Sequence, residues 1–401
     1  METSSHTPLV VLGVTGGIGA YKSCELAREL MRRGMRVKTV MTAAAQRFVT
    51  PLTFRTLTGE PVGVSLWDDP TQRVHHVSLA EEADVVVVAP CTANVIAKIA
   101  QGRADDLLTT TVLASQGPLV IAPAMNTRMW VKDVTRHNVA VLESRGVVIV
   151  EPGTGDLACG EVGEGRLAEV GVIADVVENE ARRARSLAGV RVLVTAGPTR
   201  EPIDAVRFIG NRSSGRQGYA IAEEAARRGA EVTLVSGPTS LADPAGVRTV
   251  RVETAAEMLV AAEKGFGDAD IVVAAAAVAD LRPAAPAAGK IRKAEAPDSI
   301  ALEATTDILA ALGSRKQGRV LVGFAAEIGD PVSSARQKLA AKNLDLIVAN
   351  DVTEPGAGFD VPTNRVTLID AAGATALPLM DKRAVARAVL DRIEALRKEA
   401  R

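Results

Sequence analysis

The sequence contains only three cysteines in 401 residues: Cys24, Cys91 and Cys159. So few thiols exclude a disulfide framework and are typical of a reducing compartment, so we expect a cytoplasmic location. A long apolar run is also missing, because the longest one, residues 271–279, is far shorter than the roughly 20 residues needed to cross a bilayer. Residues 1–8 lack a basic segment that leads into an apolar one, which predicts no secretory signal.

The chain also has almost no net charge. It has 47 basic and 48 acidic residues, which give a formal charge of -1 at pH 7. This balance provides no general attraction to nucleic acid or to a membrane, so a polyanionic ligand has to be bound by a local site. Hydrophobic residues at 47% and charged residues at 24% are ordinary globular values, and the length predicts two or three domains.

The first motif is a glycine-rich turn at residues 15–22. It follows a strand-like run and precedes a helical pattern that Gly34 closes. Glycines at such a turn let backbone N–H groups approach a phosphate at a helix N-terminus, so Gly16 and Gly17 predict a phosphorylated cofactor. A tight turn without a ligand is the alternative. The spacing fits neither the G-x-G-x-x-G dinucleotide pattern nor that of short-chain dehydrogenases, which disfavours NAD.

Polar side chains follow the next strand-like runs of this half. Thr92 and Asn94 follow one run and Asn126 follows another, at the strand ends where α/β sheets bind ligands. The Asn126 amide is both donor and acceptor, so it could orient a carboxylate. Alternatively, it caps the next helix, with Met129 and Trp130 packed beneath. The runs lie at 9–14, 37–41, 83–89, 119–122 and 147–150, and their alternation with helical patterns predicts a parallel, doubly wound sheet.

Two further features of this half could carry proton chemistry. An imidazole at His75 or His76 could move a proton at neutral pH, whereas an exposed loop with a helix cap is the alternative. Metal binding is disfavoured there because no partners lie at ligand spacing. Residues 151–166 are so rich in glycine that they predict a mobile loop, and Cys159 is then either a reagent on a closing flap or a small buried hydrophobe.

The second half repeats the α/β pattern after a boundary that we place within residues 182–189. Ser213, Ser214 and Gly215 open a helix and predict a phosphate cradle. The guanidinium groups of Arg200, Arg207 or Arg212 could supply its countercharge. The strand-like runs of this half lie at 191–195, 231–236, 271–277, 320–324 and 346–349.

Basic side chains form two groups in this half. The loop at residues 290–293, which contains Lys290 and Arg292, is either a solvated surface loop or a lid that neutralises a polyphosphate. Lys338 and Lys342 are one helical turn apart and share a face, where they could meet a triphosphate or face water.

Taken together, these motifs resemble a known family over nearly the whole chain. The chain is similar to the bacterial bifunctional proteins that join phosphopantothenoylcysteine decarboxylase to phosphopantothenate–cysteine ligase. The resemblance implies a flavodoxin-like or Rossmann-like flavoprotein domain at 1–186 and a Rossmann-like ligase domain at 187–401. The motifs that carry it are the glycine turn, residues 76–79, 123–130 and 158–160 in the first half, and residues 196–204, 211–215, 277–280 and the lysine loop in the second.

For the first half, the resemblance implies the cofactor FMN and three catalytic residues. His76 would be the base, Asn126 would bind the substrate carboxylate and Cys159 would donate a proton. Cys91 is a departure, since alanine is common at its position. The implied FMN contacts are Gly16, Gly17, Ile18, Thr42, Thr92 and Asn94, and the implied substrate contacts are Met129 and Ala158.

For the second half, the resemblance implies ligation through an acyl-cytidylate, with CTP as co-substrate and Mg2+ held by unassigned ligands. Asn211 would act at that intermediate and Lys290 would be catalytic. Arg292 is a departure, because the family usually has lysine there, and arginine changes the donor geometry. The implied substrate contacts are Arg207, Ser213, Ser214 and Gly215. The implied CTP contacts are Ala276, Asp280, Lys290, Thr306, Asp307, Ile308, Leu309, Phe324, Lys338 and Lys342.

The expected partners are therefore phosphopantothenate, cysteine and CTP, with ATP left open as the nucleotide. The resemblance also implies a homo-oligomer of flavoprotein trimers joined through ligase dimers, as large as a dodecamer, with flavin sites at subunit contacts. Neither nucleic acid nor membrane is an expected partner. A nicotinamide-dependent enzyme and a non-enzymatic binding or regulatory subunit are the alternatives, and the glycine-rich flap and the fused second half argue against the latter.

Overall fold

The computed structural model describes residues 7–67, 75–156, 162–293, 297–327, 331–351, 353–358 and 361–399. The chain divides into two compact units, Met1–Ser186 and Leu187–Arg401. Among the described helices, none has both the length and the apolar character needed to cross a membrane.

The first unit begins with β1 (Leu9–Val14), a 3-10 turn at Ile18–Tyr21 and α1 (Lys22–Arg32). It continues with β2 (Arg36–Met41), a 3-10 turn at Ala45–Arg47, α2 (Pro51–Thr58), β3 (Val62–Gly63), α3 (His75–Glu82), β4 (Val85–Cys91), α4 (Ala93–Gln101) and α5 (Leu107–Ala114). It ends with β5 (Leu119–Pro123), α6 (Thr127–Trp130), α7 (Asp133–Ser144), β6 (Val148–Ile149), β7 (Gly153–Asp156), β8 (Val162–Arg166) and α8 (Val170–Arg183).

Six strands of this unit form one parallel sheet in the order β3-β2-β1-β4-β5-β6. Both faces are covered, because Val10 and Leu12 of β1 point into one apolar core while Val11 points into the other. This confirms the predicted doubly wound sheet. The strand order reverses between β1 and β4, and the loops that leave these two strands flank the crevice where such folds bind ligands.

One local prediction for this unit is wrong. Residues 151–166 were expected to form a loop without secondary structure, but β7 and β8 pair as antiparallel strands. Their ladder tolerates glycine because several glycines have extended or unusual backbone angles, such as Gly165 with φ +130. Composition alone therefore indicated a loop where cross-strand hydrogen bonds form a hairpin.

The second unit opens with β9 (Arg191–Ala196), β10 (Arg200–Pro202), β11 (Phe208–Gly210), α9 (Arg216–Arg227), β12 (Glu231–Ser236), β13 (Val247–Arg251) and α10 (Ala255–Phe266). It continues with β14 (Ile271–Ala274), β15 (Leu281–Pro283), β16 (Leu302–Ala304), α11 (Ile308–Gly313), β17 (Val320–Glu327), α12 (Pro331–Ala341) and β18 (Leu346–Asp351). The last elements are β19 (Thr363–Asn364), β20 (Thr367–Asp370), β21 (Gly373–Ala376), β22 (Met380–Asp381) and α13 (Lys382–Glu399).

Its main sheet has the order β13-β12-β9-β14-β17-β18-β20-β21. The first six strands are parallel, as predicted, but β20 and β21 extend the sheet with antiparallel pairs that the sequence did not predict. The predicted strand at 271–277 ends at Ala274. Val192 and Val194 of β9 point into one core and Leu193 into the other, so this sheet is also doubly wound. Its order reverses between β9 and β14, which again defines a crevice.

Candidate functional site

A cleft of about 910 Å³ lies at the strand-order reversal of the first unit. Its size is within the range of small-molecule and cofactor sites. Asn126 and Met129 line it together with all six residues predicted to bind FMN: Gly16, Gly17, Ile18, Thr42, Thr92 and Asn94.

Backbone and hydroxyl groups join the loops of this cleft. The Thr15 hydroxyl donates to the Pro90 carbonyl at 2.8 Å and accepts from the Thr92 N–H at 3.1 Å, which ties the end of β1 to the end of β4. Gly16 lies so close to the turn after β2 that a Cβ atom there would be 2.4 Å from the Cβ of Ala44. A side chain at position 16 would therefore push apart two walls of the cleft.

The loop that carries Asn126 combines both predicted alternatives. Asn126 is the N-cap of α6, where its Oδ1 accepts from the Arg128 N–H at 2.8 Å, and the same residue lines the cleft. Trp130 is buried beneath it, with the Arg136 guanidinium 4.7 Å from its ring centre. The cap and the indole hold the Asn126 amide at the mouth of the cleft.

The β7–β8 hairpin is attached to this loop. The Met125 N–H donates to the Gly165 carbonyl at 2.9 Å, and the Thr127 hydroxyl donates to the Glu164 carbonyl at 2.6 Å. A Cβ atom on Gly165 would lie 2.3 Å from the Met125 oxygen, so this approach requires glycine. Cys159 and Ala158, which the sequence assigned to the flap, lie outside the described residues.

Charged side chains also line the cleft, and sequence reasoning did not select them. Lys98 pairs with Asp105 at 2.7 Å and with Asp106 at 3.3 Å. The hydrogen bond to Asp105 raises the pKa of Lys98, so the ammonium stays charged at neutral pH. A lysine seven residues before an acidic pair gave no recognisable motif, because the contact depends on how α4 and α5 pack.

A second cavity, of about 520 Å³, lies at the strand-order reversal of the second unit. It is lined by residues predicted to bind CTP or the acyl substrate: Asn211, Ser213, Ser214, Gly215, Ala276, Asp280, Thr306, Asp307, Ile308, Leu309, Phe324, Lys338 and Lys342. These residues come from the ends of several strands and from the N-termini of α9 and α11, so the fold gathers groups that are far apart in sequence.

The Asn211 side chain is fixed by the end of β14. Its Nδ2 donates to the carbonyls of Ala277 and Val278 at 3.1 and 3.0 Å. Gly215 caps α9 with φ +78, a conformation that favours glycine, and Gly218 packs against Ala196, where a Cβ atom would be 2.5 Å from the alanine Cβ. The first turn of α9 is thereby held against the end of β9, beside the cavity.

Each of the two lysines predicted for this cavity faces a carboxylate. Lys338 pairs with Glu327 at 2.5 Å and Lys342 pairs with Asp307 at 2.7 Å. The hydrogen bond from Lys338 lowers the pKa of Glu327. Burial raises the pKa of Asp307, but the hydrogen bond from Lys342 and two backbone N–H groups outweigh it, so the net shift is downward. Both carboxylates therefore stay ionised and hold the ammonium groups at the cavity wall.

Comparison with known proteins assigns both units. Residues 1–182 match the family described as Flavoprotein, and residues 187–396 match the DNA/pantothenate metabolism flavoprotein C-terminal domain. The chain is 46% identical over 395 residues to the coenzyme A biosynthesis bifunctional protein CoaBC of Bacillus subtilis strain 168, covering 97% of each chain. It is also 46% identical to CoaBC of Mycobacterium tuberculosis strain H37Rv, covering 96% of each.

The chain belongs to the CoaBC family. A crystal structure of a CoaBC C-terminal domain is 45% identical to the matched part and covers 54% of this chain and 99% of that one, with a TM-score of 0.47. The family assignment rests on the sequence identity and on the two matched domains, which together confirm the resemblance noted from the motifs.

Three residues to which the CoaBC resemblance gives a role do not line the cavity of their own unit. His76 lies in the first turn of α3, outside the residues that line the first cleft. Lys290 and Arg207 are absent from the lining of the second cavity, where Arg207 is instead bound to Asp204. Their roles stay predictions, because within a single chain these three residues are not part of the cavity lining.

Conversely, the second cavity of this CoaBC chain includes polar residues that the sequence analysis missed. The Lys382 ammonium donates to the Gly358 carbonyl at 2.9 Å, and the Gln217 amide donates to the Lys382 carbonyl at 3.2 Å. Asn350 and Asn364 line the same wall. The turn after β18 and the start of α13 had no recognised motif, and only the antiparallel extension of the sheet brings them to the site.

No group of three or more His, Cys, Asp or Glu side chains is arranged to hold a metal ion within the described parts of the chain. The ligands of the predicted Mg2+ therefore stay unassigned. Polyphosphate substrates themselves commonly supply ligands to Mg2+.

Proposed function

We propose that this chain catalyses two consecutive steps of coenzyme A biosynthesis. The second unit joins cysteine to 4'-phosphopantothenate with CTP, and the first unit decarboxylates the product, phosphopantothenoylcysteine, to 4'-phosphopantetheine. The observation that carries this proposal is the pair of cavities at the two strand-order reversals, one with the Asn126 amide at its mouth and one with Lys338 and Lys342 in its wall. Membership of the CoaBC family supports the same pair of reactions.

FMN fits the cleft of the first unit. Gly16 and Gly17 line it just before a 3-10 turn, where backbone N–H groups suit a phosphate, while Ile18, Ala124 and Met129 offer apolar surface for a ring system. When bound, FMN supplies a reversible two-electron acceptor, which decarboxylation of an N-acylated cysteine otherwise lacks. The flavoprotein family match of residues 1–182 supports this cofactor.

In this half-reaction, Asn126 holds the departing carboxylate. The Asn126 amide adds no charge of its own, and its hydrogen bond from the Arg128 N–H fixes it in one orientation. It can therefore bind the substrate carboxylate in a fixed position. His76 accepts a proton from the substrate. Cys159 donates a proton to carbon after CO2 has left. The overall reaction is redox-neutral because FMN would return the electrons that it accepts.

His76 would act in this scheme at the cleft of a neighbouring copy. It does not line the cleft of its own unit, and the apolar side chains of Ile18, Tyr21 and Met129 are about half exposed or more along that cleft. Burying them against a second copy would favour the homo-oligomer that the family resemblance implies, with trimers of this unit and dimers of the other. Mixed oligomers of His76→Ala and Asn126→Ala chains should then regain decarboxylation, and failure of any mixture to do so would remove this role.

In the ligation, the nucleotide would lie in the cavity of the second unit. A carboxylate is a poor electrophile, so CTP would first convert phosphopantothenate to an acyl-cytidylate and pyrophosphate, and the cysteine amine would then displace CMP. Lys338, Lys342 and the first turn of α9 would offset the phosphate charge, with Mg2+. Asn211, fixed by Ala277 and Val278, would position the acyl-cytidylate.

The test is to incubate the purified protein with phosphopantothenate, cysteine, Mg2+ and either CTP or ATP, followed by mass spectrometry. We expect phosphopantetheine, CMP and pyrophosphate with CTP. Accumulation of phosphopantothenoylcysteine would limit the activity to ligation and contradict the roles of His76, Asn126 and Cys159. If neither nucleotide gives a product, the binding or regulatory alternative is correct instead.

A further inference from the structure

A carboxylate that neither half-reaction uses lies in the second unit, at the turn between β10 and β11. The Asp204 side chain is completely buried and accepts five hydrogen bonds. Its Oδ1 accepts from the N–H groups of Val206 and Arg207, each at 2.8 Å. Its Oδ2 accepts from the Arg207 Nε at 3.0 Å, the Arg207 Nη2 at 2.5 Å and the Ile291 N–H at 3.1 Å.

Two contacts of the Asp204–Arg207 pair connect segments that are far apart in sequence. Asp204 and Ile291 are separated by 87 residues. The Arg207 Nη2 also donates to the Ile291 carbonyl at 3.2 Å, so both backbone groups of Ile291 are bound by the Asp204–Arg207 pair. One further contact, from the Ala287 N–H to the Ile203 carbonyl at 3.0 Å, attaches the same segment to the same turn.

Lys290, for which the family resemblance implies a catalytic role, precedes Ile291. Its loop leaves β15 at Pro283 and returns at β16, and the two strands pair at its base. Within the described residues, Lys290 is exposed and makes no hydrogen bond or ion pair of its own. The position of its backbone therefore depends on Ile291 and Ala287, which the β10–β11 turn binds.

We propose that Asp204 is a positioning residue of the ligase reaction, which holds Arg207 and the Lys290 loop in one arrangement. This rests on the proposed ligase function. Asp204 touches no reacting atom in this scheme, and it acts by fixing the Arg207 guanidinium and the backbone next to Lys290. Asp204 fixes Arg207 and Ile291, and Ile291 in turn fixes the backbone position of Lys290.

The charge of Asp204 is required for this arrangement. The hydrogen bonds from Arg207, and those from three backbone N–H groups, hold the pKa of Asp204 well below its usual range, and the carboxylate stays ionised at any pH where the protein is assayed. An amide in its place can still accept at one oxygen. At the other position it would present an N–H group to the Arg207 guanidinium and the Ile291 N–H, so donors would face donors.

The experiment compares wild type, Asp204→Asn and the matched control Glu303→Gln in the full-length protein. Glu303 pairs with Arg282 at 2.8 Å across the two strands from which the Lys290 loop arises, but it touches neither the loop nor Asp204. Hydrogen exchange of the Ile291 amide is measured without ligand. Initial rates of CTP-dependent pyrophosphate release are measured with varied CTP.

For Asp204→Asn we expect exchange at Ile291 to rise at least about tenfold, as for the loss of a hydrogen bond to a charged group. The kcat of pyrophosphate release should fall on the order of 10²-fold, with a smaller rise in the KM for CTP, because the displaced group acts mainly in the transition state. Hydrogen exchange in the strands of the main sheet should change little, and so should the midpoint of thermal unfolding. Glu303→Gln should match wild type in all measurements.

Unchanged exchange at Ile291, or an unchanged kcat despite faster exchange, would overturn the proposal. A general rise in exchange over the whole sheet would also overturn it, because Asp204 would then be a structural residue only. If wild type releases no pyrophosphate with CTP, the proposed function fails while the exchange result still decides whether Asp204 fixes the Lys290 loop. A higher kcat in Asp204→Asn would show that the pair restrains the loop, contrary to the proposal.

Discussion

The two units use the same architecture for cavities of different chemistry. In both, a parallel sheet reverses its strand order, and the cavity opens where the loops after β1 and β4, or after β9 and β14, diverge. The first cavity is lined mainly by glycine, alanine and other small or apolar residues with the amides of Asn94 and Asn126, whereas the second adds three lysines and several hydroxyl groups to its small residues. The topology therefore determines where a ligand binds, whereas the side chains determine which ligand it is.

The units also differ in how they attach a distant segment to the cavity. In the first, the β7–β8 hairpin binds the Asn126 loop through backbone groups and the Thr127 hydroxyl, and glycine permits the close approach. In the second, the buried Asp204 carboxylate and its partner Arg207 bind the backbone of Ile291 in the Lys290 loop. The first attachment depends on the absence of side chains and the second on charge, so they should respond to different substitutions.

The largest expected effect tests the amide of the first cavity. Asn126→Ala should lower decarboxylation by roughly 10² to 10³-fold, because one preorganised donor is lost, while ligation stays at the wild-type rate. The two activities are measured separately, as CO2 release from phosphopantothenoylcysteine and as pyrophosphate release with CTP.

Asn126→Asp separates the two roles of this residue. Aspartate is as good an N-cap as asparagine, so α6 should persist, but its charge repels a substrate carboxylate. We expect Asn126→Asp to be as inactive in decarboxylation as Asn126→Ala. If it retains wild-type activity, Asn126 is only a helix cap. If either variant also loses ligation in a folded protein, the two sites are not independent.

The glycine attachment of the hairpin gives the next effect. Gly165→Ala places a Cβ atom 2.3 Å from the Met125 oxygen at a backbone φ of +130, so we expect the first unit to lose about 1–3 kcal/mol in free energy of unfolding. Both tryptophans of the chain, Trp67 and Trp130, belong to this unit, so their fluorescence during denaturant unfolding reports it selectively.

The matched control for this prediction is Gly171→Ala. Gly171 lies near the start of α8, and a Cβ atom there meets no neighbour within 4 Å. This variant should be neutral or slightly stabilising, by up to about 1 kcal/mol. Equal unfolding midpoints for Gly165→Ala and Gly171→Ala would mean that the hairpin is not attached as the structure describes.

The charged lining of the second cavity gives a smaller effect. Lys338→Met should raise the KM for CTP about tenfold, which corresponds to the loss of one charge-assisted contact to a phosphate. Lys264→Met on α10, an exposed lysine outside the cavity, is the control and should leave this KM unchanged. A KM for CTP that is the same in both variants would indicate that Lys338 serves only its ion pair with Glu327.

Particular residues show why the main sheets, but not every part of the sites, could be predicted from sequence. The runs at 9–14 and 231–236 match β1 and β12 at both ends, because β1 is a continuous apolar run buried on both faces and β12 is rich in β-branched and apolar residues. The ends of such strands then bring Gly16, Thr92 and Asn126 together. By contrast, β20 and β21 are short and partly exposed, so their sequences carry no comparable apolar signal.

Contacts that depend on tertiary packing had no local signal. Asp204 was noticed only as the end of a motif, and nothing in its neighbourhood indicates a partner at Ile291, 87 residues away. Lys382 reaches the second cavity because α13 begins beside it, which no local pattern around this lysine shows. The location of a site follows from strand ends, whereas the second layer of groups around it follows from how loops and helices pack.

The smallest expected effect concerns surface charge on the first unit, at a residue that lines neither cavity. Glu29 on α1 accepts hydrogen bonds from Arg32 and Arg33, which lower its pKa from an ordinary value of 4.5 to about 2. Because the folded-state pKa is depressed, the ion pairs stabilise the fold fully above about pH 4.5, and this contribution is lost as the pH falls through 2.

Denaturant midpoints followed by tryptophan fluorescence should therefore differ between wild type and Glu29→Gln at pH 7, and the difference should shrink to nothing near pH 2. Glu303→Gln removes a similar exposed pair in the unit that contains no tryptophan, so it should leave the fluorescence transition unchanged at every pH. If the difference in midpoint between wild type and Glu29→Gln grew on acidification, folding would raise the pKa of Glu29 rather than lower it. A shift caused by Glu303→Gln would show that unfolding of the two units is coupled, so that their stabilities could no longer be compared separately.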